Sequence, residues 1–289
     1  MDLAAFAAEV GADGAVTISG SSTRGGGVPG VRCVSAPSGI DWIQADEMIV
    51  CCGAATRVAD LVSALADVGQ TVALPISGTV GGALSVGHSD VRRLGYGPIR
   101  DVLLQADYVS ATGVAVKAGG PTVKNVSGFD LCRLLVGSRG TLGFLGAVIL
   151  RTRPLPMLSQ WYRREGPPWA VVAQLFHPMS VLWDGESTWV LLEGHPDDVH
   201  GQAAATSLHR ADGPPTLPTA ARWSVSPAEL ERLAGQTGFV AEIGVGVVHH
   251  SQPAPLREQS PAVVALHARL KHEFDPTGRL NPGVEVLVV

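Results

Sequence analysis

Two periodicities of apolar residues alternate along the chain, and together they predict a protein that mixes helices and strands. Apolar residues at helical spacing predict helices over 2–10, 57–68, 129–136, 198–210 and 261–274. Short apolar runs bounded by glycine or proline predict strands over 15–19, 48–52, 71–74, 101–109 and 113–118, and a turn that runs into a strand over 141–152. Because the helices and strands do not alternate regularly, the pattern favours the α+β class over a doubly wound parallel sheet.

A change of composition after these elements predicts a domain boundary. Residues 153–168 contain four prolines within a mixed polar run. From 169 to 250 short predicted strands alternate with one helix, and the stretch 211–218 has the composition of a loop. The predicted helix at 261–274 is followed by a turn-rich tail. The chain is therefore expected to have a large first domain and a smaller second one.

Composition narrows the classes of function. With 46% hydrophobic and 16% charged residues, the chain of 289 residues is expected to be globular with a substantial core. The net charge of −5, without a basic block, does not indicate a nucleic-acid surface. The four cysteines form no CxxC pair, which disfavours a zinc ribbon or an iron–sulfur cluster. No apolar run reaches the roughly 18 residues of a membrane span, and no secretory leader pattern is present, so a cytoplasmic protein is expected.

Three glycine-rich loops are the first candidates for chemistry. They lie at 20–27, 78–82 and 137–143, each next to a predicted strand. Glycine lets the backbone approach a ligand closely, and consecutive amides in such loops can bind phosphate. One loop of this kind is typical of an ordinary turn, whereas three in the first half of one chain favour a phosphate-bearing cofactor.

The common nucleotide-binding motifs do not fit these loops. The sequence contains no GxxxxGK[ST] motif, which excludes a P-loop enzyme. It also lacks a GxGxxG between a first strand and a helix with an acidic residue about 20 positions later, which disfavours a Rossmann site. The loop at 20–27 adds serine and threonine hydroxyls to its amides. This composition suits a pyrophosphate held by a loop rather than by a helix end.

Five segments, in this order and spacing, resemble the FAD-binding domain of the vanillyl-alcohol oxidase / p-cresol methylhydroxylase family. More narrowly, they resemble the FAD-binding subunits of bacterial glycolate oxidases. The segments are 78–83 (GTVGGA), 92–101 (RRLGYGPIRD), 123–131 (VKNVSGFDL), 135–143 (LVGSRGTLG) and 274–283 (FDPTGRLNPG). The resemblance covers nearly all of 15–156 and the last 20 residues, and the region between them matches loosely.

The resemblance implies which residues hold the cofactor. It assigns a first pyrophosphate loop and a second glycine loop, and it places one serine and one turn along the flavin. The residues so implied are Ser19, Gly20, Ser21, Ser22, Thr23, Pro75, Gly78, Thr79, Val80, Gly81, Gly82, Ser89, Gly140, Thr141, Leu142 and Gly143. A covalent flavin in this family usually needs a His or Cys in the first loop, and this sequence has none there, so the resemblance implies non-covalent FAD. His88, near the second loop, is the remaining candidate for a covalent bond.

The resemblance also implies an architecture. It predicts a two-subdomain FAD-binding domain over 1–156 and a small α+β cap over 157–258. The C-terminal helix and tail, 259–289, are expected to pack back on the FAD-binding domain.

The activity implied is that of an FAD-dependent oxidoreductase acting on CH–OH donors. Electrons would pass from a 2-hydroxy acid such as glycolate or D-lactate, through the flavin, to a partner. Subunits of this kind work beside a larger flavoprotein and an iron–sulfur subunit, and the lack of cluster cysteines here fits such a partnership. Two alternatives stay open: a non-catalytic assembly subunit with a structural or empty flavin site, and a self-sufficient FAD-dependent 2-hydroxy-acid dehydrogenase.

The predicted cap departs from the family pattern. Related flavoproteins carry a segment like GHAGDGNLH that helps to bind a divalent metal and the substrate. The similar stretch here, 241–249, is AEIGVGVVH, so Glu242 stands at the first His position and only His249 remains. A hard cation needs several oxygen or imidazole ligands, so we expect no metal site.

His249 and His250 are the candidate catalytic residues. An imidazole can take the proton of a substrate hydroxyl while hydride goes to the flavin. The alternative is a pair at a strand end, with one side chain packed and the other solvated.

Overall fold

The computed structural model describes residues 1–121, 130–255 and 259–286. Over these ranges the chain divides into two compact units. The first unit comprises 1–90, 98–155 and the C-terminal segment from 259, and the second comprises 91–97 and 156–258. The predicted segment 123–131 lies outside the described residues except for its last two positions.

The bounds of the elements are as follows. The α-helices are α1 (Leu3–Val10), α2 (Val58–Ala66), α3 (Val80–Val86), α4 (Arg93–Tyr96), α5 (Leu131–Leu135), α6 (Trp169–Val172), α7 (Pro196–Ala205) and α8 (Pro261–Phe274). The strands are β1 (Val16–Ile18), β2 (Arg32–Val34), β3 (Ile40–Gln44), β4 (Ile49–Gly53), β5 (Gln70–Thr71), β6 (Leu103–Val109), β7 (Ala115–Gly119), β8 (Phe144–Arg151), β9 (Arg153–Pro154), β10 (Leu158–Glu165), β11 (Ser180–Trp183), β12 (Ser187–Gly194), β13 (His209–Arg210), β14 (Ala221–Ser224), β15 (Phe239–Glu242) and β16 (Val247–His250). Short 3₁₀ helices occupy Ile99–Asp101 and Pro227–Leu233.

The first unit is built on an antiparallel sheet with the strand order β3-β4-β8-β6-β7. Strands β4 and β8 are buried almost throughout, which explains why their sequences are continuous apolar runs rather than alternating ones. Helix α2 buries Val58, Leu61 and Leu65, which recur at helical spacing on one face. A parallel pair, β1 and β2, lies at the start of the unit, and the bridge between Val16 and Leu280 joins β1 to the C-terminal tail.

The second unit is built on a larger antiparallel sheet with the order β13-β10-β12-β11-β15-β16-β14. Its core contains Trp183 and Phe239, whose rings meet edge to face with centroids 5.4 Å apart. Helix α7 buries Val199 and Ala203 against this core. The β15–β16 hairpin carries both candidate histidines at its end.

The structure confirms the mixed helix-and-sheet class and corrects several element bounds. The strand expected over 71–74 is only the pair Gln70–Thr71. Helix α7 ends at Ala205, five residues earlier than expected, because the Thr206 hydroxyl donates to the Gln202 carbonyl and the chain then turns at Ser207 with a φ of 54°. The segment 153–168 is not a plain linker, since it contains β9 and β10.

The division between the units falls at Leu155 and Pro156. The interpretation of these units as an FAD-binding domain, a cap and a returning tail stays a prediction. Among the described residues, no helix combines the length and apolar character that crossing a membrane requires.

Candidate functional site

A cavity of about 280 Å³ opens in the first unit where its glycine-rich loops converge. The end of β1 with the loop that follows forms one wall, the start of α3 a second, and residues 139–145 a third. The residues that line it are Ile18, Ser19, Gly20, Ser21, Ser22, Thr23, Arg24, Gly25, Gly26, Ala36, Ala54, Ala55, Thr79, Gly81, Gly82, Ser85, Val86, Arg139, Gly140, Phe144, Leu145, Asn281 and Val284. The convergence of loops from distant parts of the sequence on one cavity is typical of a cofactor site.

The first loop follows β1 and is fixed at both ends. At its start Ser19 N donates to the Val34 carbonyl oxygen at 3.2 Å, and at its end Val28 N donates to Thr17 Oγ1 at 2.9 Å. In its middle the Arg24 guanidinium donates to the Ser77 carbonyl oxygen at 2.7 Å and to Ser77 Oγ at 3.1 Å. These contacts hold the first loop against the second.

The second loop is the start of a helix rather than a free loop. Thr79 caps α3, since its Oγ1 accepts a hydrogen bond from Gly82 N at 3.1 Å. Gly81 N donates to the Ala54 carbonyl oxygen at 2.7 Å. The N–H groups of Gly81 and Gly82 therefore already have protein partners, and glycine at 81 permits close packing against Ala54, since a Cβ there would lie 2.9 Å from the Ala54 carbonyl oxygen.

Gly78 lies where the two loops touch, and its backbone requires glycine. Its φ is +80°, and a Cβ built on it would lie 2.3 Å from Thr23 Oγ1 and 2.6 Å from Arg24 Nη1. A side chain at this position would thus combine left-handed backbone strain with a collision against the first loop.

The third wall is held in an uncommon backbone conformation. Arg139 has a φ of +51°, and Gly140, next to it, has a φ of +71°. Arg139 N donates to the Ser85 carbonyl oxygen at 2.8 Å, and the Arg139 carbonyl oxygen accepts from Asn281 Nδ2 at 2.7 Å. A bulky residue in this region costs energy that its surroundings must offset, and such residues cluster at functional sites.

The charges around the cavity favour an anion. Two cationic side chains, Arg24 and Arg139, line it, and none of its lining residues in the described part of the chain is Asp or Glu. Burial lowers the pKa of the Arg24 guanidinium, which nevertheless stays protonated because the ordinary value is so high. Guanidinium groups bind phosphate through charge-assisted hydrogen bonds. Two arginines and the hydroxyl groups of the first loop fit the pyrophosphate of FAD.

The structure brings one subset of the predicted cofactor residues together at this cavity. Those that line it are Ser19, Gly20, Ser21, Ser22, Thr23, Thr79, Gly81, Gly82 and Gly140. Those that lie outside the lining are Pro75, Gly78, Val80, Ser89, Thr141, Leu142 and Gly143. The Val80 side chain is fully buried, and Ser89 Oγ accepts a hydrogen bond from Ile99 N at 3.0 Å. The roles of all these residues in binding FAD stay predictions.

The sequence analysis missed four polar residues of the cavity: Arg24, Ser85, Arg139 and Asn281. Arg24 lies within the first loop, directly after the predicted residue Thr23, so its position was a usable signal. Asn281 belongs to the tail that resembles the family, but no local pattern links it to loops that precede it by more than a hundred residues.

The two candidate histidines lie on β16 in the second unit and have different surroundings. His249 Nε2 lies 2.9 Å from Oε1 of Glu242, whose side chain is almost fully buried. His250 stacks on Trp223 with ring centroids 4.0 Å apart, and its Nδ1 accepts from Gln252 N at 2.8 Å. Burial lowers the pKa of His250, so this imidazole is neutral around pH 7. His250 is thus the packed member of the pair, while His249 has a carboxylate partner that the sequence analysis did not identify.

Further charges accompany this pair within the second unit. Arg222 lies directly across from His249 in the β14–β16 pairing. Burial lowers the pKa of Arg222, and the charge of Glu242 acts in the opposite direction. Glu242 Oε2 is buried without a hydrogen-bond partner. Among the described residues no group of three or more His, Cys, Asp or Glu side chains could hold a metal ion.

Comparisons with known proteins support FAD as the cofactor. The family model described as an FAD binding domain matches residues 2–119. Glycolate oxidase subunit GlcE of Escherichia coli (strain K12) is 28% identical over 88% of this chain and 85% of its own length. Glycolate oxidase subunit GlcD of Bacillus subtilis (strain 168) is 40% identical, but the match covers 27% of this chain and 17% of that protein. A D-lactate dehydrogenase of Archaeoglobus fulgidus is 36% identical over 39% of this chain and 26% of that protein.

Solved structures add evidence on the fold alone. An alkyldihydroxyacetonephosphate synthase structure has a TM-score of 0.69 at 15% identity and covers 94% of this chain and 73% of that one. The grass pollen allergen Phl p 4, with glucose dehydrogenase activity, has a TM-score of 0.52 at 14% identity over 66% of this chain. Residues 2–119 therefore match the model of an FAD binding domain, and the chain is similar to glycolate oxidase subunits and D-lactate dehydrogenases, which supports FAD as its cofactor.

Proposed function

We propose that this chain is the FAD-binding subunit of a 2-hydroxy-acid oxidoreductase complex of the glycolate oxidase kind. The observation that carries the proposal is the cavity of the first unit, with two arginines and hydroxyl-bearing loops in an FAD-binding domain. The match to GlcE over 85% of that subunit's length supports the complex. The substrate would be a 2-hydroxy acid such as glycolate or D-lactate, in the cytoplasm.

The partners are part of the same proposal. A larger flavoprotein and an iron–sulfur subunit would pass the electrons on, because the four cysteines of this chain are free thiols, three of them buried. Burial raises the pKa of Cys52 to about 12 and that of Cys132 to about 11, which keeps both as thiols near neutral pH. Such thiols are poor ligands for a cluster.

The FAD is proposed to be held without a covalent bond. Over 1–121, 130–255 and 259–286, no histidine or cysteine lines the cavity. The flavin, when bound, supplies the two-electron acceptor for a hydride. The residues of the chain bind its phosphates through Arg24, Arg139 and the first loop, and they orient it through the fixed spacing of the loops.

A proton must also leave the substrate hydroxyl, and His249 is the proposed acceptor. When its Nε2–H donates to Glu242 Oε1, its Nδ1 is left with a lone pair that can take a proton. Loss of a hydride and a proton converts a 2-hydroxy acid into a 2-oxo acid. His250 is the less suitable base because its Nδ1 already accepts a hydrogen bond.

The first test is the absorption spectrum of the purified chain before and after reconstitution with FAD. A flavin spectrum that acid or heat releases into solution is the expected result. A colourless protein that FAD cannot reconstitute would refute the proposal and leave the non-catalytic assembly subunit. Anaerobic addition of glycolate or D-lactate then separates two cases: bleaching of the isolated chain indicates a self-sufficient dehydrogenase, and bleaching that requires co-purified partners indicates the complex.

Matched arginine variants test the charge argument. Arg24→Gln and Arg139→Gln should each raise the Kd for FAD about tenfold, with a smaller effect at high salt because the lost interaction is ionic. Arg100→Gln is the control, since Arg100 is half exposed and does not line the cavity. Equal FAD affinity in all three variants would contradict the assignment of the phosphate site.

A further inference from the structure

The C-terminal tail is hydrogen-bonded alongside β1, next to the first cofactor loop. Val16 N donates to the Arg279 carbonyl oxygen at 2.9 Å, and Asn281 N donates to the Val16 carbonyl oxygen at 2.9 Å. These bonds place Leu280 beside Val16 as in a parallel strand pair. The tail therefore follows β1 up to the point where the first loop begins.

The side chain of Asn281 joins two walls of the cavity. Its Oδ1 accepts from Thr17 Oγ1 at 2.8 Å and from Ile18 N at 3.2 Å. Its Nδ2 donates to the Arg139 carbonyl oxygen at 2.7 Å. Thr17 Oγ1 in turn accepts from Val28 N, so the same network reaches the far end of the first loop.

The tail that presents Asn281 is itself fixed by a buried carboxylate. Asp275 accepts hydrogen bonds from Leu280 N at 2.8 Å, from Arg279 N at 3.0 Å and from Lys271 Nζ at 2.6 Å. Lys271 Nζ also donates to the Thr141 carbonyl oxygen at 2.9 Å. The tail is thus attached to the 137–143 loop through Lys271 as well as through Asn281.

We propose that the segment 275–281 is a clip that sets the spacing of the flavin cavity, with Asn281 as its positioning residue. Asn281 holds the first loop through β1 and holds Arg139 in its left-handed conformation, so that the loop and the guanidinium stand at the separation FAD requires. This inference rests on the proposed binding of FAD in the first unit. It gives a positioning role to Asn281, which lies 264 positions after Thr17, the residue whose hydroxyl it binds.

Only an amide can make all three of these contacts. Aspartate keeps the acceptor for Thr17 and Ile18 but places a second oxygen against the Arg139 carbonyl oxygen. Leucine has the same number of side-chain heavy atoms, branched at the same position, and removes all three side-chain hydrogen bonds. The φ of +44° at Asn281 also suits asparagine, which adopts the left-handed region more readily than other residues with a side chain.

The experiment compares FAD affinity and fold in four proteins. Apo forms of the wild type, Asn281→Asp, Asn281→Leu and the control Glu273→Gln are titrated with FAD, and the quenching of flavin fluorescence gives the Kd. The control residue is exposed on α8, lies outside the segment 275–281 and does not line the cavity. We expect Asn281→Asp to raise the Kd about tenfold and Asn281→Leu to raise it further, because buried polar partners are left unpaired. Glu273→Gln should bind as the wild type does.

Hydrogen exchange on the wild type keeps the inference testable if the variants fail to fold. FAD should slow exchange at the amides of Leu280 and Asn281 as well as in the first loop, because the clip and the loops form one network. Unchanged exchange in the tail, or a folded Asn281→Leu with wild-type affinity, would overturn the clip. A wild-type protein that does not bind FAD would overturn the proposed function instead.

Discussion

Replacing Gly78 with alanine separates backbone strain from the geometry of the cofactor site. Gly78 has a φ of +80°, and its carbonyl oxygen accepts from Val58 N at 3.0 Å, so the residue has little freedom to relax. Alanine in the left-handed region costs about 1–2 kcal/mol. For a protein of this size each kcal/mol lowers Tm by about 2–4 °C, so a fall of roughly 2–8 °C is expected from strain alone.

The added Cβ also displaces side chains of the first loop. It would lie 2.3 Å from Thr23 Oγ1, about 1 Å inside ordinary van der Waals contact, and 2.6 Å from Arg24 Nη1. The Thr23 hydroxyl and the Arg24 guanidinium must therefore move by a similar distance. Since a displacement of about 1 Å in a positioned group can cost one to two orders of magnitude, the Kd for FAD should rise on the order of tenfold or more.

Gly69→Ala is the matched control. Gly69 has a φ of +70°, and no atom lies within 4 Å of a Cβ built there. It should lose a comparable Tm by differential scanning fluorimetry and keep wild-type FAD affinity by fluorescence titration. If Gly78→Ala binds FAD within twofold of Gly69→Ala, the position of the first loop does not control binding and the reasoning is refuted.

Three further predictions concern stability. Arg279 donates to five backbone carbonyl oxygens, those of Val10, Gly11, Asp13, Gly14 and Ala111. Arg279→Lys should therefore lower the free energy of unfolding, measured in urea, by about 2–4 kcal/mol. A loss below about 1 kcal/mol would contradict this. Burial raises the pKa of Asp275, but hydrogen bonds from Lys271 and two backbone amides outweigh it and leave the pKa lowered. Its stabilisation is therefore complete above about pH 4 and is lost as the pH falls further, so the stability difference between wild type and Asp275→Asn should shrink from pH 6 to pH 3. Burial lowers the pKa of His250, so the unfolded state gains a proton before the folded state does as the pH falls through about 6.5. The wild type should therefore lose stability between about pH 7.5 and 5.5, and His250→Phe should lose less. Equal slopes of unfolding free energy against pH in the two proteins would exclude this role.

Elements with a local cause could be predicted from the sequence. Helix α8 begins and ends where the apolar spacing and Pro261 predict, at Pro261–Phe274. The sequences of β4 and β8 are continuous apolar runs, and this pattern is enough to predict buried strands. The glycine loops could also be predicted, because a single glycine is enough to indicate a positive φ or a close approach of the backbone.

The composition of the cavity depends instead on contacts between distant segments. Nothing near Asn281 in the sequence indicates that its amide bonds Thr17 and the Arg139 carbonyl oxygen. The sequence also does not show which loop amides already donate hydrogen bonds to protein acceptors. The phosphate-binding amides expected at Gly81 and Gly82 have protein acceptors in the structure, which shifts the anion-binding role towards the first loop and the two arginines.

The β15–β16 hairpin illustrates how strand pairing changes the interpretation of a motif. By sequence, Glu242 counts only as a lost metal ligand, and His249 has no visible partner. The pairing sets Val240 opposite His249 and Glu242 opposite Val247, which brings the side chains of Glu242 and His249 to one face as diagonal neighbours. When the carboxylate of Glu242 accepts from Nε2–H of His249, Nδ1 of the same ring is left as an acceptor. The segment that departs most from the family pattern has therefore kept an imidazole with a hydrogen-bonded carboxylate, and a replacement of Glu242 should change the orientation of the His249 ring.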